Sequence, residues 1–157
     1  MILPHDLSDQ IKLAWPGPPP TLPEKWRLQD QEFGDAFRLF NGRGYTALSC
    51  DSLPRYYDSL LLMRQDCPNA ANYYLASYLT CYFSSSGDTK VFVEMVIENF
   101  LLGALDDPRH YDLTSEMCGV ISTFLQATAD ELEWSCDLPI PTLWGKILFG
   151  KKMQKLD

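Results

Sequence analysis

Residues 113–136 read LTSEMCGVISTFLQATADELEWSC, and their spacing decides the fold class. Met117, Val120, Ile121, Phe124, Leu125 and Leu132 recur every three or four residues, with Thr128 filling the gap in the stripe. That is the period of one buried face on an α-helix. Thr114 is placed to cap its start, Glu116 suits the positive end of the helix dipole, and Leu113 with Cys118 can close a hydrophobic staple. Asp130, Glu131 and Glu133 fall on the opposite face. One element therefore supplies an apolar stripe, expected to organise the interior, and an acidic surface.

The same period recurs along the rest of the chain. Asp6 to Trp15 predicts a short amphipathic helix with Leu7, Ile11, Ala14 and Trp15 on one side. Pro16 ends it, and residues 16–23, PGPPPTLP, predict an extended strap laid over the surface. Gln29 to Phe40 predicts a second helix with Phe33, Phe37 and Phe40 aligned. The glycines of Asn41-Gly42-Arg43-Gly44 can stop it by accepting positive φ. Tyr45 to Leu48 reads as a short extended stretch. Asp51 or Ser52 is expected to cap a third helix that takes Pro54 into its first turn and runs toward Met63.

Asp66-Cys67-Pro68 opens a fourth helix with a Tyr-rich stripe of Ala71, Tyr74, Leu75, Tyr78, Leu79 and Tyr82. Ser84 to Gly87 breaks it, and Asp88 or Thr89 is placed to cap the next helix. That helix, VFVEMVIENFLLGAL, is apolar around much of its circumference and suits a central position. Asp106-Asp107-Pro108 ends it. Pro139 and Pro141 precede a terminal helix with Leu143, Trp144, Ile147 and Leu148, and residues 150–157 form a basic tail expected to fray. The expected fold is all-α, a single-domain orthogonal bundle of six to seven helices spanning residues 1–157. Nothing repeats at a fixed period, so a solenoid is not supported.

Composition narrows the function. Thirteen basic against twenty-one acidic residues leave a net charge of −8, which repels phosphate backbones and anionic lipid surfaces. Direct nucleic-acid binding is not expected, nor is membrane insertion: the most apolar stretch, Val91 to Leu105, contains Glu94, Glu98 and Asn99. The opening MILPHDLSDQIK has no basic segment followed by an apolar run, so no signal peptide is expected and the cytoplasm is the expected compartment. Cys50, Cys67, Cys81, Cys118 and Cys136 include no CxxC pair. Cys81 and Cys118 fall in apolar helical stretches, where they read as small buried hydrophobes. The cysteines are therefore expected to be reduced, as in a reducing compartment.

Candidate chemistry is sparse. His5 and His110 are the only histidines, so Asp106-Asp107-x-x-His110 is the one local cluster with metal-ligand character. It supports a minority reading as a small metal-dependent hydrolase. The same order also arises from an acidic helix end, a proline break and a loop histidine, and no second cluster completes a coordination sphere. There is no G-x-S-x-G, no HExxH and no phosphate-cradling glycine loop, so no catalytic residue, metal or cofactor is assigned. A structural or adaptor subunit, self-associating through the Tyr-rich helix, is a further reading.

The charge distribution says more. Residues 106–137 hold Asp106, Asp107, Asp112, Glu116, Asp130, Glu131, Glu133 and Asp137 against Arg109 alone, which is −7 of the net −8. A concentrated negative surface steers cationic partners. Tyr111 and Trp134 lie within it in sequence and suit desolvated anchors. The partner-binding set is therefore Asp106, Asp107, Tyr111, Asp112, Asp130, Glu131, Glu133, Trp134 and Asp137, and the expected partner is a basic protein.

Three stretches, IKLAWPGPPPTL, NYYLASYL and LTSEMCGVISTFL, together resemble a family of small bacterial helical proteins to which no activity is assigned. Its members tend to begin with a short helix and a proline strap, then carry a Tyr-Tyr-Leu-Pro-Ala-Tyr-Leu-like helix and a late Leu-Thr…Phe-Leu helix. Ala76 stands where that pattern has proline, which should straighten the helix here. The resemblance carries no catalytic residues. It implies an immunity-protein character, in which an acidic face neutralises a cognate cationic toxin by covering its active site.

Overall fold

Two helices within residues 17–100 are joined by a single residue. Pro68 occupies the first turn of the helix that follows Cys67 and has no N–H to give. The preceding helix stops at Asp66, leaving Cys67 alone as the connector. The Cys67 N–H donates back to the Met63 carbonyl at 2.9 Å, while the Cys67 carbonyl accepts from the Ala70 and Ala71 amides. The two helices pack on each other, burying Leu60 and Met63 against a neighbour rich in alanine.

The computed structural model describes residues 4–29, 31–53, 59–106 and 113–128, of which 4–5, 31–32, 59, 61–62 and 105–106 are described as backbone only. Six α-helices occur among the described residues: α1 (Pro4–Ala14), α2 (Gln31–Phe40), α3 (Ser59–Asp66), α4 (Pro68–Ser84), α5 (Gly87–Asp106) and α6 (Ser115–Ala127). Three 3-10 helices, Glu24–Leu28, Tyr45–Ala47 and Cys50–Ser52, complete them, with no strand among the described residues. The chain is all-α, as the periodicity predicts. The described residues group into two compact units, one comprising residues up to 16 and from 101 onward, the other residues 17–100.

In the first unit α1 packs on α6. Leu7, Ile11, Ala14 and Trp15 are buried on one side, and Val120, Ile121, Phe124, Leu125 and Thr128 on the other. The Thr114 hydroxyl accepts the Met117 amide at 3.1 Å, the expected N-cap. Leu113 and Cys118 are both buried, as a staple requires. The helix closes at Ala127, where the Thr128 hydroxyl turns back to donate to the Phe124 carbonyl at 2.8 Å. Thr128 can therefore fill an apolar stripe without leaving its hydroxyl unpaired. Leu132 and the acids after it lie outside the described residues.

In the second unit α4 is the enclosed element. Eleven of its seventeen residues are buried, from Ala70 to Tyr82 and on all sides. Sequence periodicity assigns a central position to the α5 stretch. The structure corrects this for residues 17–100: α5 leaves Val91 and Met95 exposed, whereas α4 meets α3 and two of the 3-10 helices. The strap behaves as expected, with Leu22 buried and its amide donating to Asn41 Oδ1 at 3.3 Å.

Other local expectations change. Tyr45 to Ala47 forms a 3-10 helix rather than an extended stretch. Asp51 and Ser52 sit inside another, with the Ser52 hydroxyl donating to the Ser49 carbonyl, while Pro54, expected in the first turn of the third helix, lies outside the described residues. Of the α2-terminating glycines only Gly42 uses positive φ, at +75°. Gly87 starts α5, at φ +57°, so Asp88 and Thr89 lie inside its first turn rather than capping it.

Candidate functional site

Along α4, three side chains each fasten a different part of residues 40–53. Tyr74 reaches the end of α2, where the last carbonyls have no partner within the helix. Its hydroxyl donates to the Phe40 carbonyl at 2.6 Å and lies 2.9 Å from the Arg43 carbonyl. A phenol has one proton, so the two carbonyls share it. The Phe40 and Tyr74 rings pack at 4.3 Å. Tyr73, one residue earlier, accepts the Tyr45 amide on its hydroxyl at 3.3 Å and meets the Tyr45 ring edge-on at 5.4 Å. Two turns further on, Cys81 is bonded to Cys50.

The Tyr74 phenol is a donor here, not a base. Burial pushes the Tyr74 hydroxyl far above its ordinary value, with Tyr73 and Cys67 adding to the effect. Tyr45 is raised for the same first reason, with Tyr73 again adding. Both therefore keep their protons at neutral pH.

The Cys50–Cys81 disulfide corrects the expectation of reduced, purely space-filling cysteines. Cys81 is 3% exposed, as a buried hydrophobe would be, yet its sulfur is bonded to that of Cys50 in a half-buried turn. Their Cα atoms stand 5.4 Å apart, within the span a disulfide bridges. Ser84 Oγ lies 3.3 Å from Cys50 Sγ. Cys67 is a free, half-buried thiol, and Cys118 is buried.

A second cluster fixes the other side of this unit. Trp26 is fully buried and packs on Phe33 of α2 at 5.2 Å, and its indole N–H donates to Asp66 Oδ2 at 2.8 Å. Lys25 Nζ approaches the same oxygen at 3.3 Å. The Trp26 hydrogen bond is the main cause holding the Asp66 carboxyl below its ordinary value, with Lys25 assisting against some burial. Lys90 sits over the Tyr82 ring at 4.5 Å, tying α5 to α4.

Of the residues picked out from sequence, Asp106 is the last residue of α5. Asp107, Tyr111, Asp112, Asp130, Glu131, Glu133, Trp134 and Asp137 lie outside the described residues, as does His110. Glu116, from the same acidic segment, is exposed in the first turn of α6. Among the described residues no group of three His, Cys, Asp or Glu side chains is placed to hold a metal ion. No helix among them is long and apolar enough to cross a membrane. The Tyr-rich stripe of α4 was visible in the sequence, but the partners of its tyrosines were not, because 28 and 34 residues separate the hydrogen-bonded groups. The cysteine pairing left no signal in spacing at all. Comparison of the chain with protein-family models, with curated proteins and with solved structures gives no significant match.

Proposed function

We propose that this chain is a non-enzymatic protein-binding module, most concretely a cytoplasmic immunity protein of bacterial type that neutralises a cationic cognate toxin by covering its active site. The observation that carries the reading is the charge of residues 106–137, −7 of the chain's −8. The placement of other charges supports it. Within residues 17–100, Glu24, Asp35 and Asp66 pair with Arg27, Arg38 and Lys25. Those three pairs neutralise themselves locally. Asp106 ends α5, where the carbonyls of a helix terminus already bear about half a negative charge.

The test is association with the toxin encoded in the neighbouring reading frame. Co-expression is expected to relieve the toxin's growth arrest, and the purified pair is expected to form a stoichiometric complex. Glu131→Lys with Glu133→Lys should slow association severalfold at low ionic strength. An unchanged on-rate would exclude this segment as the docking surface, and absence of a complex would remove the immunity reading itself.

A further inference from the structure

The two sulfurs of the Cys50–Cys81 pair are unequally accessible. Cys50 is half-buried in a 3-10 helix whose Asp51 and Ser52 are exposed, and its sulfur lies beside the exposed Ser84. Cys81 is closed off on the buried side of α4. An incoming thiolate must reach a sulfur in line with the bond it breaks, so access selects the Cys50 side. Equally important, the segment does not depend on the disulfide for its position. Tyr45 is held by the Tyr73 hydroxyl and ring, Phe40 and Arg43 by Tyr74, and Leu48 and Leu53 are buried. Once reduced, the two thiols stay facing each other and can close again.

We infer that Cys50 and Cys81 form a reversible thiol–disulfide modification site for low-molecular-weight thiols and disulfides, entered at Cys50 and resolved by Cys81. In the oxidising direction the Cys50 thiolate attacks a small disulfide RSSR. It forms the Cys50–SR mixed disulfide and releases one RS⁻, which takes up the proton Cys50 gave. Cys81, losing its proton, then attacks the Cys50 sulfur and expels the second RS⁻, which leaves as RSH. Two electrons and two protons pass from the protein to the small disulfide, giving two thiols. Reduction is the reverse, with the Ser84 hydroxyl placed to donate to the Cys50 sulfur whenever it carries negative charge. In a reducing compartment such a bond acts as a sensor rather than a permanent brace. The chemistry itself does not depend on the toxin-binding reading.

The experiment equilibrates the full chain in buffers of reduced and oxidised glutathione without denaturant, quenches by alkylation, and maps each cysteine by peptide mass spectrometry. The native protein is expected to interconvert between dithiol and Cys50–Cys81 disulfide as the ratio changes. Cys81→Ser should accumulate a glutathione adduct at Cys50, whereas Cys50→Ser should gain none at Cys81. If the buried serine prevents folding, Cys81→Ala serves instead, and the wild-type exchange needs no variant. A disulfide that opens only after denaturation would make the pair a permanent staple and overturn the inference. So would an adduct at Cys81 in Cys50→Ser, or a pair that never joins.

Discussion

Single side chains in this protein do work that their local sequence does not announce. Tyr74 sits on one helix and satisfies the end of another, with its ring packed on Phe40. Tyr74→Phe keeps the ring and removes the proton shared by two carbonyls, so equilibrium unfolding in urea should show a loss of about 1–3 kcal/mol, the cost of leaving buried acceptors short of a donor. The Phe40 carbonyl still accepts from Arg43 N–H, which argues for the lower part of that range. Asp66 gives a pH-dependent case. Its carboxyl is held below the ordinary 3.8, first by Trp26 and then by Lys25, so the native state binds this proton more weakly than the unfolded chain. Its contribution is fully present above 3.8 and is lost as pH falls through the lower native value. Glu94, raised chiefly by burial and further by Glu98 against the pull of Lys90, acts in the opposite sense. The two effects are separated by comparing wild type with Asp66→Asn. The variant should lose stability less steeply as the solution is acidified below about pH 4. Parallel acid limbs would show that Asp66 keeps its ordinary affinity for protons.

At the scale of elements, short 3-10 helices are held by the long helices they lie on. The 24–28 segment packs against α2 through Trp26 and Phe33. Gly34, buried in α2, makes that approach possible: a Cβ there would stand 2.6 Å from the Gln29 carbonyl oxygen and 3.4 Å from the Arg38 guanidinium. Glycine inside a helix ordinarily costs about 0.5–1 kcal/mol relative to alanine, so Gly→Ala is normally a gain. Here backbone would have to move, and the expected sign reverses. Gly34→Ala should destabilise by about 1–3 kcal/mol in chemical denaturation, as overpacking does, whereas an increase in stability would show that the 24–28 segment can move away at little cost. The Cys50–Cys81 bond links the same kinds of element. It closes a separation of 31 residues, which on a chain-entropy account stabilises by about 3–4 kcal/mol when oxidised. Reduction therefore changes the stability of this unit even where the other anchors preserve its geometry.

For the molecule as a whole the dominant quantity is the uneven charge. Residues 106–137 carry −7, against −4 for residues 1–105 and +3 for residues 138–157, and salt screens the field of such a segment. The Debye length shrinks from about 30 Å at 0.01 M to about 8 Å at 0.15 M ionic strength. On the function proposed above, association with a cationic toxin should slow over that range, and the Glu131→Lys, Glu133→Lys variant should show a shallower dependence, with dissociation changing little in both. An on-rate indifferent to salt would show that apolar contact, not charge, governs encounter. Local chemistry was enough to place the all-α class, the stripes Leu7-Ile11-Trp15 and Val120-Ile121-Phe124, the Thr114 cap and the Pro68 helix start. Each depends on neighbours within one or two helical turns, and that range is written directly in residue order. Folding alone chose α4 as the enclosed element of residues 17–100, turned Tyr45 to Ala47 into a 3-10 helix, set Tyr74 on the end of α2 and joined Cys50 to Cys81. Those outcomes bring together groups some thirty residues apart. Such meetings are selected by packing and by the need to pair buried polar groups, which no local periodicity encodes.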